Sequence, residues 1–197
     1  MKATARTRTR IVVTVALASS LWGAGAVGAA ASALISHHHL PVGAAVPAGG
    51  GVVNFSGYST NDGPESSAIV TGVIADFGTA TRIETSGSTR EYTELKLSLD
   101  RGSFELDISN LESNLNRAIV GHFPTNTHTC SGEVSASAAS TVIKGSGTGA
   151  YAGISGALIM TVTINEVETP PRCPKSDTSP LLSQSVYLSG SGRVKVD

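Results

Sequence analysis

Residues 93–109 read "TELKLSLDRGSFELDIS", and their period is two. Leu95, Leu97 and Leu99 alternate with Glu94, Lys96, Ser98 and Asp100, and Phe104, Leu106 and Ile108 alternate with Glu105, Asp107 and Ser109. Successive side chains of a strand point to opposite faces, so each run presents one apolar and one polar face. A two-residue turn at Arg101-Gly102 joins them. It sets Leu99 against Phe104, Leu97 against Leu106 and Leu95 against Ile108, with all six on one face. The same register places Lys96 opposite Asp107, a favourable cross-strand pair. Gly102, second in the turn, accepts the positive φ that tight hairpins need.

The pattern repeats on both sides of this hairpin. Strands are predicted for Val52–Ser59, for Ala68–Gly78 with a continuation through Thr79–Thr85, and for the segments "SGEVSASAASTVIKGSG", "GALIMTVTINEVE" and "SQSVYLSGSGRVKV". They are rich in Thr, Val and Ile and are separated by Gly, Ser and Asn. The segment "NLESNLNRAI" offers a turn or two of helix. Pro170, Pro171, Pro174 and Pro180 make "VETPPRCPKSDTSPLLSQ" a loop before the last strand, since proline cannot serve in a central strand. Seven or eight strands with short turns predict an all-β domain over residues 52–197. The expected form is an antiparallel eight-stranded closed barrel, with a β-sandwich as the alternative.

Glycines crowd the stretch "GSGTGAYAGISGALIM", residues 145–160. Gly147, Gly149 and Ala152 fit the loose dinucleotide pattern G-x-G-x-x-A. A phosphate loop, however, ends a strand and opens a helix. Here a run rich in Thr, Val and Ile follows, and no lysine stands where a P-loop needs one. Glycines in strands permit bends, bulges and close backbone approach, which a small barrel needs at its corners. Tyr151 is expected to lay its ring over this bare backbone. Gly147, Gly149, Tyr151, Gly153 and Gly156 are thus read as a structural motif. No nucleotide or other cofactor is expected.

Residues 147–158, "GTGAYAGISGAL", resemble the G-T-G-x-[YF]-A-G-x-x-G stretch of allene oxide cyclase-like and dirigent-like barrels, in the version found in small exported proteins of actinobacteria. The resemblance implies an eight-stranded antiparallel barrel with an apolar cavity. Characterised members are cofactor-free cyclases, or proteins that steer the coupling of phenolic radicals. Their catalytic residues find no position-by-position match in this chain.

The first residues have a different character. Lys2, Arg6, Arg8 and Arg10 precede "IVVTVALASSLWGAGAVGAAASALIS", which is apolar or small throughout. A basic start, an apolar core and A-x-A spacing describe a secretory signal peptide over residues 1–33, with cleavage near Ala31 or Ala33. The run Ile11–Ser36 also has the length of a membrane span, about 20 apolar residues. Its Ala-, Gly- and Ser-rich second half suits a cleavage site better. Residues 34–51, rich in Pro, Gly and Ala, read as a flexible linker. The expected product is secreted and has no membrane segment after cleavage.

Fourteen Lys and Arg less the four of the leader leave ten against fifteen Asp and Glu. An acidic domain without a basic cluster lacks the footprint of a nucleic-acid binder. Cys130 and Cys173, two cysteines in an exported chain, are read as a disulfide. Such a bridge stabilises by about 4 kcal/mol in the chain-entropy model.

Three features carry possible chemistry. His122 and His128 with Cys130 form H-x5-H-x-C, a weak zinc or copper pattern for want of further ligands, and the reading is no metal. Asp76 lies in an apolar strand, sharing a face with Ile74 and Gly72. Buried in a barrel, it would have a raised pKa and serve as general acid or base; exposed, it is an ordinary solvated carboxylate. Glu166 and Glu168 share a strand face near its end, where solvation is expected. The expected functions are a barrel holding a small apolar molecule, a cofactor-free cyclase or isomerase, or a structural or cell-surface module without ligand.

Overall fold

The computed structural model describes residues 49–61, 63–84, 92–120, 126–169 and 181–197. The leader, most of the linker, His122 and Cys173 lie outside them. Eight strands close in sequence order into an antiparallel barrel. They are β1 (Gly51–Ser59), β2 (Glu65–Gly72), β3 (Asp76–Glu84), β4 (Tyr92–Leu99), β5 (Gly102–Asp107), β6 (Ser131–Val142), β7 (Ile154–Glu168) and β8 (Leu181–Val196). β8 pairs back to β1 and leaves no free end to the sheet.

The hairpin that opened the sequence reading is present, but its register is two residues away from the expected one. Leu97 lies opposite Phe104 and Leu95 opposite Leu106, and Lys96 faces Glu105. The turn is Asp100-Arg101. The same side chains stay inside, because a slip of two keeps every residue on its face. The strand expected over Ala68–Gly78 is broken at Val73–Ala75, where Ala75 takes φ 48° and β2 folds back onto β3.

The expected turn or two of helix is an 11-residue helix, α1 (Ser109–Ile119). Asp107 Oδ1 accepts from the Ser109 amide (2.9 Å) and hydroxyl (2.6 Å), which ends β5 and starts the helix. Leu111 and Leu115, four residues apart, face inward and join the core. The helix has a specific place in the barrel. β5 pairs with β6 only at Leu106–Val142 and Asp107–Thr141. Beyond that seam α1 packs against β6, and Asn114 Nδ2 donates to the Ser137 carbonyl (2.8 Å).

Large side chains point into the interior. Phe55, Phe104, Leu95, Leu97, Leu106, Val70 and Met160 belong to one continuous buried cluster. A barrel of eight strands is just wide enough for side chains to fill it or for one small ligand to sit inside.

Candidate functional site: the two ends of the barrel

The chain crosses the barrel so that its tight connections gather at one end. These are the β2–β3 turn, the β4–β5 turn and the glycine stretch between β6 and β7. Asp76, the first residue of β3, sits at their centre with 7 % of its surface exposed. Its Oδ1 accepts from the Phe77 amide (2.8 Å). Its Oδ2 accepts from the Arg101 amide (3.2 Å), from Arg101 Nε (3.4 Å) and from the Tyr151 hydroxyl. Arg101 in turn donates through Nη2 to the carbonyls of Ile74 and Ala75. Three connections distant in sequence are thereby clasped by one carboxylate.

The glycine stretch completes the clasp. Gly149–Tyr151 form a single 3-10 turn, not the start of an α-helix. Gly149 takes φ 58°, and a Cβ there would strike the Arg101 carbonyl oxygen. Gly102 meets the Thr148 carbonyl in the same way. The two backbones touch because neither residue has a side chain, which is the close approach expected of these glycines. Tyr151 has a second role beside the packing expected of it. It is fully buried, packs edge-on against Phe104 with ring centroids 5.6 Å apart, and turns its hydroxyl to Asp76.

The electrostatics follow from these contacts. Burial pushes the Asp76 carboxyl up, but the Tyr151 hydroxyl, the two backbone amides and the Arg101 charge outweigh it, and the net shift is downward from 3.8. The expected raised pKa is therefore corrected, as is the alternative of an exposed Asp. Burial, and then the neighbouring Asp76, push the Tyr151 hydroxyl far above 10.0. A carboxylate bonded through both oxygens to fixed donors and held below its ordinary pKa ties these connections together and is a poor proton acceptor.

The opposite end is built differently. α1 and the ends of β3, β4 and β7 surround a recess of about 400 Å³. Leu115, Ile119 and Ile164 give it apolar walls, and Arg82, Glu84, Tyr92, Glu112 and Asn116 supply polar groups. A second hollow of about 440 Å³ adjoins it across Tyr92, Glu112 and Asn116. Arg82 points inward from β3 with its side chain 9 % exposed. Its guanidinium lies 4.5 Å from the Tyr92 ring centroid, 3.9 Å from Glu112 Oε1 and 3.0 Å from the Gly63 carbonyl. The aromatic face, the carboxylate and the carbonyl fix the orientation of the cation. Nothing in the local sequence marks Arg82. It follows Ala80 on the inner face by strand alternation, which is the one signal that places it inside.

Glu166 and Glu168 are not a solvated pair. Glu166 is half-buried and accepts from Gln184 Nε2, while the register slips between Val167 and Glu168. Cys130 is buried and carries no disulfide among the described residues, which exclude Cys173. His128 is exposed in a turn whose amides are held by Asn126 Oδ1 (3.0 Å to His128, 3.1 Å to Thr129). Among the described residues no three His, Cys, Asp or Glu converge, and no helix is long and apolar enough to cross a membrane. Comparison of the chain with known protein families, curated proteins and solved structures finds no match.

Proposed function

We propose that this chain is an exported binding protein of the allene oxide cyclase-like and dirigent-like type, which holds one small, mainly apolar molecule at the open end of its barrel. The observation that carries the reading is the recess beside α1. About 400 Å³, walled in part by Leu115, Ile119 and Ile164 and otherwise by polar groups, suits a compact organic molecule with an apolar body and polar substituents. Leu115, Ile119 and Ile164 take its apolar body, and the Arg82–Glu112–Tyr92 group orients a polar substituent. The leader pattern supports export, and the motif at residues 147–158 together with the eight-stranded closed barrel supports the family. The Cys130–Cys173 bridge belongs to the same reading.

A module without ligand is the second reading. The buried interior cluster favours it, since it includes the large side chains of Phe55, Phe104, Tyr151 and Met160. A cyclase or isomerase would have to work at the recess, because the clasp commits Asp76 elsewhere.

Native mass spectrometry separates the two. The protein collected without detergent from its producer's medium is compared with Asn116→Trp, an exposed helix position that borders both hollows. The binding reading expects a stoichiometric non-protein adduct on the wild type and none on the variant, at equal melting temperature. A clean protein mass for both overturns it in favour of the module.

A further inference from the structure

The outer face of β6, β7, β8, β1 and β2 differs from an ordinary solvated surface. The strand register lines up Ser135, Thr163, Tyr187, Tyr58 and Ser67 in one row across five strands. The next row is Ser137, Thr161, Ser189, Ser56 and Ile69. A third runs from Ala139 through Ile159, Ser191 and Asn54 to Thr71. None of these positions is charged. Charge returns only at the margins, with Glu133, Glu65 and Arg193. Soluble domains ordinarily keep about 25–35 % charged residues on their surface.

The first of these rows carries an aromatic pair on two of its inner strands. Tyr58 and Tyr187 stand directly opposite one another on β1 and β8, with ring centroids 5.1 Å apart and planes tilted by 45°. They are 43 % and 49 % exposed. Around them the hydroxyls stand on a lattice of about 4.8 Å across the strands and about 6.7 Å along them. Some hydroxyls bond to each other, as Ser137 does to Thr161 (2.7 Å) and Ser135 to Thr163 (3.0 Å). Ser137 and Thr161 share one hydrogen, so lone pairs and a second donor remain for a partner.

Chemistry selects the partner. The absence of Lys and Arg offers nothing to a phosphate backbone or an anionic lipid surface. Serine, depleted in protein–protein interfaces, is the commonest residue of these rows. A neutral polyhydroxylated polymer matches the uncharged hydroxyls and the tyrosine pair: tyrosine rings and the exposed Ile69 and Ile159 meet apolar sugar faces, hydroxyls exchange hydrogen bonds with hydroxyls, and a regular lattice meets a regular repeat. We infer that this face is a docking surface for an uncharged polysaccharide, apart from the recess at the barrel end.

The test is depletion of the full chain from solution by microcrystalline cellulose, chitin and insoluble β-1,3-glucan, at low salt and in 1 M NaCl. The inference expects retention on at least one of them, unchanged by salt because no charges take part. Tyr58→Ala combined with Tyr187→Ala should weaken that retention about tenfold, or about 1.4 kcal/mol. Both side chains are exposed, and an unchanged melting temperature shows that the fold persists. No retention on any of the three polymers, retention lost in salt, or retention indifferent to the double substitution overturns the inference. So does a concentration-dependent dimer abolished by the double substitution, which assigns the face to a second copy of the chain.

Discussion

Asp76 shows how one side chain can look catalytic in the sequence and be structural in the fold. A carboxylate in an apolar strand invites a role in proton transfer, but here Phe77, Arg101 and Tyr151 all donate to it and favour its charged form. Removing it leaves the buried Tyr151 hydroxyl without this acceptor and the Arg101 guanidinium without this counter-charge. Asp76→Ala should therefore lower the unfolding free energy by about 3 kcal/mol in denaturant titration. Tyr151→Phe keeps the ring against Phe104 and loses only the hydrogen bond to the charge, so about 1.5 kcal/mol is expected. The pH dependence has two arms. The folded carboxyl titrates below 3.8, so its contribution is complete above that value and disappears as pH falls through the folded pKa. The folded phenol titrates above 10.0, so its contribution is complete below that value and declines as pH rises toward the folded pKa. Melting temperature measured against pH should fall at both extremes, and Tyr151→Phe should remove this residue's share of the alkaline fall. These partners were not legible in advance, since they stand 25 and 75 residues from Asp76 along the chain.

Elements were far more legible than their joints. Period-two alternation located the strands, because each strand has one face on the core and one in solvent. The same alternation could not choose between two hairpin registers that differ by two residues, since both bury Leu95, Leu97, Phe104 and Leu106. What distinguishes them is tertiary: the Arg101 amide bonds to Asp76, and the Gly102 backbone meets Thr148. The helix was under-read for a related reason. Its apolar pair, Leu111 and Leu115, is short, and its length comes from covering the β6 edge that β5 leaves unpaired. The contact between the β4–β5 turn and the glycine stretch makes a direct prediction. Gly149→Ala forces a Cβ onto the Arg101 carbonyl in a left-handed conformation, and should destabilise by about 2 kcal/mol or more. An Ala at Gly145, where nothing lies within 4 Å of the added Cβ, bears only the strain of φ 83° and should cost less.

At the scale of the whole molecule, the barrel assigns different work to its two ends. One end is locked by short turns, touching backbones and a buried carboxylate; the other carries α1, the inward Arg82 and the recess proposed to hold a ligand. Cys130 lies on the second side, after α1 and before β6. If it is bridged to Cys173, Cys130→Ser should lower the melting temperature in oxidising buffer and leave wild type and variant alike under reduction. Equal melting of the wild type in both buffers would remove the bridge from the account. The division between the ends rests on Asp76 being a fixed anion at the locked end. Its carboxyl titration, followed by carbon-13 NMR at the side-chain carboxyl carbon of the folded protein, measures this directly. A midpoint below 3.8 is the predicted result. A midpoint well above the ordinary carboxylate range would contradict it: the clasp would hold a protonated acid, and the locked end would again be a place for proton-transfer chemistry.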